Sequence, residues 1–260
     1  MRGIPAGRED TNGGIPTYVS ESADTATSKS IVFLDIFGWK FKNTRLLADH
    51  YAKAGFYVYV PDVYEGDSLP LDFLSSVEPN LKSKEEMGVL DRTKATATVA
   101  TTLPPWLAKH RQTRSEPIID GFINTVRQIP GTHKVGVVGF CWGGRYAILQ
   151  AHGKREGSVG GVDAAVAFHP SLITVPGDFE EISKLLFIGH GDKDTFLDNK
   201  TKDQFEVMLR NKTDVPTQVK VYKDQVHGFT LRSDRSSEKD MKAMDEAEKD
   251  GIAWSNKYLS

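Results

Sequence analysis

The 260-residue sequence contains a single cysteine, Cys141. One cysteine closes no internal disulfide and builds no multi-cysteine zinc cage, so it has to be explained alone. Long apolar runs are also missing, with nothing near the ~18 residues that a bilayer crossing requires. The amino-terminal stretch, with Arg2, Arg8, Glu9, Asp10 and several glycines, lacks the apolar core of a secretory signal. Lys257 to Ser260 is not a peroxisomal address. Nor does either charge dominate. The 33 Lys and Arg stand against 35 Asp and Glu, a net charge of -2, so no basic field exists to hold nucleic acid or anionic lipid. No internal repeat or low-complexity tract occurs. These absences predict a cytoplasmic protein, monomer or homodimer, whose partner is a small molecule rather than nucleic acid or membrane. The length suits one domain spanning residues 1–260 with a substantial core.

What is present is an alternation of apolar, β-rich runs with helical patterns, the signature of an α/β fold with a mostly parallel central sheet and helices on both faces. Strands are predicted at Ile31 to Phe37, Phe56 to Val60, Val135 to Phe140, Val162 to Phe168, Leu185 to Gly189 and Thr217 to Tyr222, six as a minimum. Helices are predicted at Asn43 to Ala54, stopped by Gly55, and at Ser115 to Ile129, with Ser115 as cap and Pro117 in the first turn. Trp142 to His152, Leu197 to Lys212 and Glu238 to Tyr258 supply three more. Residues 64–114 fit this alternation least well and contain a Pro104-Pro105 break before Trp106. They read as a cap or pocket-wall insertion near the carboxyl ends of the strands, where open α/β sheets bind ligands; the plainer alternative is a surface excursion.

The strongest local signal is Val135-Gly136-Val137-Val138-Gly139-Phe140-Cys141-Trp142-Gly143-Gly144-Arg145. It is G-x-C-x-G between a strand and a helix, the nucleophile elbow of α/β-hydrolases with sulfur in place of oxygen. Gly139 and Gly143 let strand and helix approach one another around a strained turn. The helix amino terminus then favours the thiolate and any oxyanion beside it, which makes the Trp142 amide one oxyanion donor. The alternative role for a lone cysteine is a small buried apolar residue.

In this fold the acid and then the histidine follow the nucleophile. The strand Lys184 to Gly189 empties into His190-Gly191-Asp192-Lys193-Asp194, and the usual spacing of that loop in α/β-hydrolases favours Asp194 as the acid over its nearest competitor Asp192; a helix cap or turn residue is the alternative role of either. Of seven histidines only His227 follows Asp194, directly after the last predicted strand. It can take the thiol proton on one nitrogen while the other donates to the carboxylate. His169 and His190, near strand ends, are left structural or rim roles.

With Cys141, Asp194 and His227 in hand, the sequence resembles the dienelactone hydrolase family, whose defining activity is that of carboxymethylenebutenolidase. The matching segments are Gly14 to Val19, Asp35-Ile36-Phe37-Gly38, Gly55-Phe56 through Pro61-Asp62, Gly139 to Gly144, Gly191 to Asp194 and His227-Gly228-Phe229. The resemblance implies opening of an enol lactone through an acyl-thioester, without metal or organic cofactor. It also implies that the Ile36 amide joins that of Trp142 in the oxyanion hole, and that Asp35 stands where the family has a thiol-modulating glutamate, one methylene longer. Arg232 falls one position beyond the family arginine that binds substrate carboxylate, and no second arginine can be chosen among Arg92, Arg111 and Arg114. Trp39 and Trp142, beside the two oxyanion turns, point to an aromatic pocket able to hold a larger lactone or ester; core filling is their alternative role. The rival readings are a secondary-metabolite tailoring hydrolase, thioesterase or cyclase, a non-catalytic ligand-binding member of the fold, and a redox-sensing thiol.

Overall fold

A computed structural model of the chain describes residues 3–24, 28–70, 73, 88–153, 161–234 and 236–260. Among the described residues eight strands form one sheet: β1 (Arg8–Asn12), β2 (Ile15–Ser20), β3 (Lys29–Asp35), β4 (Tyr57–Pro61), β5 (Lys134–Phe140), β6 (Ala164–Phe168), β7 (Leu185–Gly191) and β8 (Thr217–Tyr222). Their order is β1-β2-β4-β3-β5-β6-β7-β8. The first two pairings are antiparallel and the rest parallel. The described helices are α1 (Lys42–Lys53), α2 (Val89–Lys109), α3 (Gln112–Arg127), α4 (Trp142–Gln150), α5 (Gly177–Glu180), α6 (Asn199–Arg210), α7 (Phe229–Arg232) and α8 (Glu238–Leu259).

The six expected strands are all present, with ends displaced by no more than two residues. The β1-β2 hairpin was not anticipated. Its signal lies in Asn12-Gly13-Gly14: both glycines take positive φ, 58° and 79°, as a two-residue hairpin turn demands. The central strands are buried along nearly their whole length, which is why they read as continuous apolar runs rather than alternating ones. Helices cover both faces. Gly136 and Gly139 point to opposite sides of β5; a Cβ on the first would meet Leu259 of α8 at 2.7 Å, and one on the second the opening turn of α4 at 2.0 Å.

Two helix expectations are corrected. Helix α3 begins at Gln112 rather than at Ser115; the buried Ser115 hydroxyl donates back to the His110 carbonyl (3.1 Å) instead of capping a start. Helix α2 runs through Pro104 and Pro105 without the expected break. Just beyond them Trp106 donates to the Asp67 carbonyl (2.7 Å) and packs on Tyr64 and Trp142, tertiary contacts that offset the two missing backbone donors. Within the anticipated 64–114 insertion, residues 71–72 and 74–87 lie outside the described residues.

Strand β3 lies between β4 and β5, so the chain reverses its direction of travel across the sheet there. This is the switch point at which α/β sheets open a crevice. Asp35 pairs with Phe140 across β3 and β5, and Phe140 with Phe168 across β5 and β6. The residues that follow, Ile36, Cys141 and His169, therefore emerge side by side at one sheet edge.

Candidate active site

Cys141 occupies the cap position before α4 with φ 55° and ψ -118°, a conformation that costs an ordinary side chain strain. Two close approaches hold it there. A Cβ on Gly139 would sit 2.0 Å from the Gly143 carbonyl oxygen, and one on Gly143 would sit 2.0 Å from that of Leu34, so only glycine lets α4 start against β3 and β5. The Cys141 amide donates to the Phe168 carbonyl and to Nδ1 of His169, each at 3.2 Å, and its carbonyl accepts from the amides of Gly144 (3.0 Å) and Ser171 (3.1 Å). The sulfur lies 3.4 Å from Ser171 Oγ. As the first helical residue, Trp142 has an amide with no intrahelical acceptor.

The loop after β7 delivers Asp194, buried, while Asp192 beside it is exposed. Asp194 Oδ2 accepts from Nδ1 of His227 at 2.9 Å, and Oδ1 accepts from the Phe196 amide at 2.9 Å. His227 is buried, and among the described residues its Nε2 has no hydrogen-bond partner. Burial opposes its imidazolium, but the adjacent Cys141 and Asp194 outweigh that and hold His227 well above the usual imidazole range. The structure thus brings Cys141, His227 and Asp194 to one place, with the sulfur 3.4 Å from Ser171 Oγ and His227 on Asp194 at 2.9 Å.

Asp35 ends β3 and is buried. Its Oδ2 accepts from Thr44 Oγ1 at 2.9 Å, and no hydrogen bond joins it to Cys141. Burial pushes it up to about 6, against the pull of Thr44, Arg232 and the amides of Phe37 and Ile36. The expected thiol-modulating carboxylate is therefore turned toward α1 and its own turn. The Ile36 amide, expected in the oxyanion hole, lies beside this carboxylate.

A largely apolar cleft, open to solvent, has the sulfur in its lining. Its walls are Ile36, Phe37, Leu69, Phe73, Leu103, Leu172 and Phe196, with Cys141, Ser171, His227 and Arg232 as the polar groups. Arg232 lies 5.7 Å above the Phe37 ring, and among the described residues no carboxylate is within ion-pair distance of it. Neither expected tryptophan lines this cleft. Trp39 is flanked by Arg45 and Lys40, and Trp142 is buried against Tyr64, Trp106 and Tyr146. The aromatic surface comes instead from three phenylalanines far apart in sequence. Arg111 engages Thr113, and Arg114 pairs with Glu65; the side chain of Arg92 lies outside the described residues.

Sequence reasoning missed Ser171 and the depth of His169. His169 is buried under the elbow with its ring 4.9 Å from that of His227. Burial, then the charges of His227 and Arg232, hold it well below the usual range. It is neutral, with Nδ1 accepting from the Cys141 amide, which assigns its proton to Nε2 and the donor role toward Thr230 Oγ1 at 2.7 Å. His190 is buried elsewhere, 3.6 Å from Glu206. Among the described residues no cluster of three or more His, Cys, Asp or Glu is disposed to hold a metal ion, and no helix is long and apolar enough to cross a membrane.

The chain is 29% identical over 95% of its length, and 88% of the relative's, to "Hydrolase pyvD" of Aspergillus violaceofuscus. It is 29% identical over 94% of its length, and 88% of the relative's, to "Carboxymethylenebutenolidase homolog" of Mus musculus. The crystal structure of dienelactone hydrolase from Anabaena variabilis superposes with a TM-score of 0.65 over 98% of both chains at 14% identity, which establishes the α/β-hydrolase fold. A family model, "Dienelactone hydrolase family", matches residues 15–259. A match across nearly the whole sequence, on a sheet whose switch point carries the cysteine elbow, makes the chain a member of the dienelactone hydrolase family.

Proposed function

We propose that the protein hydrolyses a lactone or ester through an acyl-thioester on Cys141, with His227 as the base and Asp194 orienting it. The observation that carries this reading is the buried Asp194–His227 hydrogen bond (2.9 Å), which leaves His227 Nε2 unpartnered next to a cysteine on a strained elbow. Nε2 takes the thiol proton, and the thiolate attacks the carbonyl carbon. The negative oxygen accepts from the Trp142 amide, joined by that of Ile36 once Asp35 releases it. The tetrahedral adduct collapses with loss of the alkoxide, which recovers a proton from the imidazolium. His227 then removes a proton from water, hydroxide adds to the thioester, and the adduct collapses by breaking its C–S bond; the carboxylic acid leaves, and the Cys141 thiolate recovers the proton from the imidazolium. No metal or organic cofactor enters this cycle.

The cleft supports a substrate with an apolar body, held between Phe37, Phe73 and Phe196, and an anionic group reaching Arg232. Leu69, Phe73 and Leu103 fall within 64–114, and on this reading that segment serves as the pocket wall of a single domain. The same walls suit a larger secondary-metabolite lactone as well as a small dienelactone. Rates for dienelactone, aryl esters and acyl thioesters, measured with wild type, Cys141→Ala and His227→Ala, test the proposal. Both substitutions are expected to reduce kcat by about a thousandfold or more. Turnover that survives Cys141→Ala removes the cysteine from the mechanism.

A further inference from the structure

Ser171 is buried, and among the described residues the Cys141 sulfur, at 3.4 Å, is the only hydrogen-bond partner of its hydroxyl. Buried hydroxyls are normally satisfied by backbone or solvent; this one has been aimed at a nucleophile. The turn that aims it is built at some cost. Its two flanks, His169 and Leu172, carry φ of 37° and 59°, where side chains other than glycine are strained. His169 is pinned by its amide on the Gly189 carbonyl (2.7 Å), Pro170 packs against Gly144 of the elbow helix, and the Ser171 amide donates to the Cys141 carbonyl (3.1 Å). Backbone and side chain of Ser171 therefore both engage one residue, Cys141. Asp35, meanwhile, spends its carboxylate on Thr44.

Building on the reading of Cys141 as nucleophile, we propose that Ser171 is a further catalytic residue, its hydroxyl donating a hydrogen bond to the Cys141 thiolate in place of the carboxylate that ends β3. When Nε2 of His227 takes the thiol proton, the sulfur keeps the electron pair and accepts the Ser171 O–H. No proton leaves serine. The hydrogen bond steadies the charge until the sulfur attacks. The other charged or titratable groups around the sulfur are His227 from the loop after β8, His169 from the end of β6, Arg232 from α7, Asp35 from the end of β3 and Tyr64 from the segment after β4. Of these side chains His227 also acts on the sulfur, Cys141 favouring its imidazolium, while the Ser171 hydroxyl lies 3.4 Å from it.

Because the chain has one cysteine, thiolate absorbance and the pH profile of alkylation by iodoacetamide report Cys141 alone. Both are measured on wild type, Ser171→Ala, Ser171→Thr and Asp35→Asn, with thermal unfolding to verify that each variant is folded. A hydrogen bond to a charged acceptor is worth about one pH unit here. Ser171→Ala is expected to move the thiolate midpoint upward by about that much and to carry the alkylation profile with it. Ser171→Thr, which keeps the hydroxyl, is expected to return it toward wild type, and Asp35→Asn is expected not to raise it. A folded Ser171→Ala with its midpoint unmoved or lowered overturns the proposal. So does a threonine variant shifted as far as alanine, or an upward shift in Asp35→Asn equal to that of Ser171→Ala. None of these readings uses an ester, so they stand or fall separately from the proposed hydrolysis.

Discussion

Asp194 and His227 are 33 positions apart in the chain, yet their side chains meet at 2.9 Å in a buried site. On the proposed mechanism that carboxylate holds the proton of His227 on Nδ1 and leaves Nε2 as the base, a task a neutral amide cannot share. Asp194→Asn preserves the shape but admits the wrong tautomer, so kcat is expected to fall about a thousandfold while Cys141 remains accessible to alkylation; steady-state kinetics beside thiol labelling checks this. Asp35 offers a stability test. Burial raises it from 3.8 to about 6, so between those values the unfolded chain releases a proton that the folded chain retains. The contribution of Asp35 to stability therefore declines as pH rises through that window and stays lowered above it. Asp35→Asn has no proton to retain, and its stability relative to wild type is expected to improve by about 2 kcal/mol between the lower and upper ends of the window, as read by denaturant unfolding at a series of pH values.

Among the elements, the β5-to-α4 junction is the one most legible in the sequence and least tolerant of change. The flanking glycines of G-x-C-x-G were read as steric necessities, and the backbone shows why: carbonyl oxygens lie where Gly139 and Gly143 would carry Cβ atoms. Gly139→Ala is expected to cost several kcal/mol, seen as a large drop in Tm or insoluble protein, because backbone rather than a yielding side chain stands in the way. The hairpin at the amino terminus was legible in principle, since Asn12-Gly13-Gly14 is a turn signal, but its strand β1 is exposed and charged and lacks the apolar run by which the other strands were found. Helix α2 was not legible at its proline pair. Local propensity stops a helix there, and among the described residues the contacts of Trp106 with Asp67, Tyr64 and Trp142 help carry it on.

For the whole molecule, one sheet runs from β1 at Arg8 to β8 at Tyr222, and α8 returns to cover its middle, with Leu259 under β5 and Trp254 against Phe187 of β7. We infer that the described parts fold as one cooperative unit. Far-ultraviolet and near-ultraviolet circular dichroism are expected to give coincident denaturant transitions; separated midpoints would divide the chain into independent units.

The sequence by itself determined the α/β alternation, the cysteine elbow, and the order in which Asp194 and His227 follow it, because each of these is written in local pattern and chain order. It could not decide which side chains surround the sulfur. Ser171 and the three cleft phenylalanines come from separate loops that the strand order β4-β3-β5-β6 brings to one edge, and such proximity has no period or spacing to read. Tertiary structure also turned Asp35 toward Thr44 and placed both predicted tryptophans outside the cleft. A side chain's direction is settled by what packs against it, and a linear pattern does not contain that.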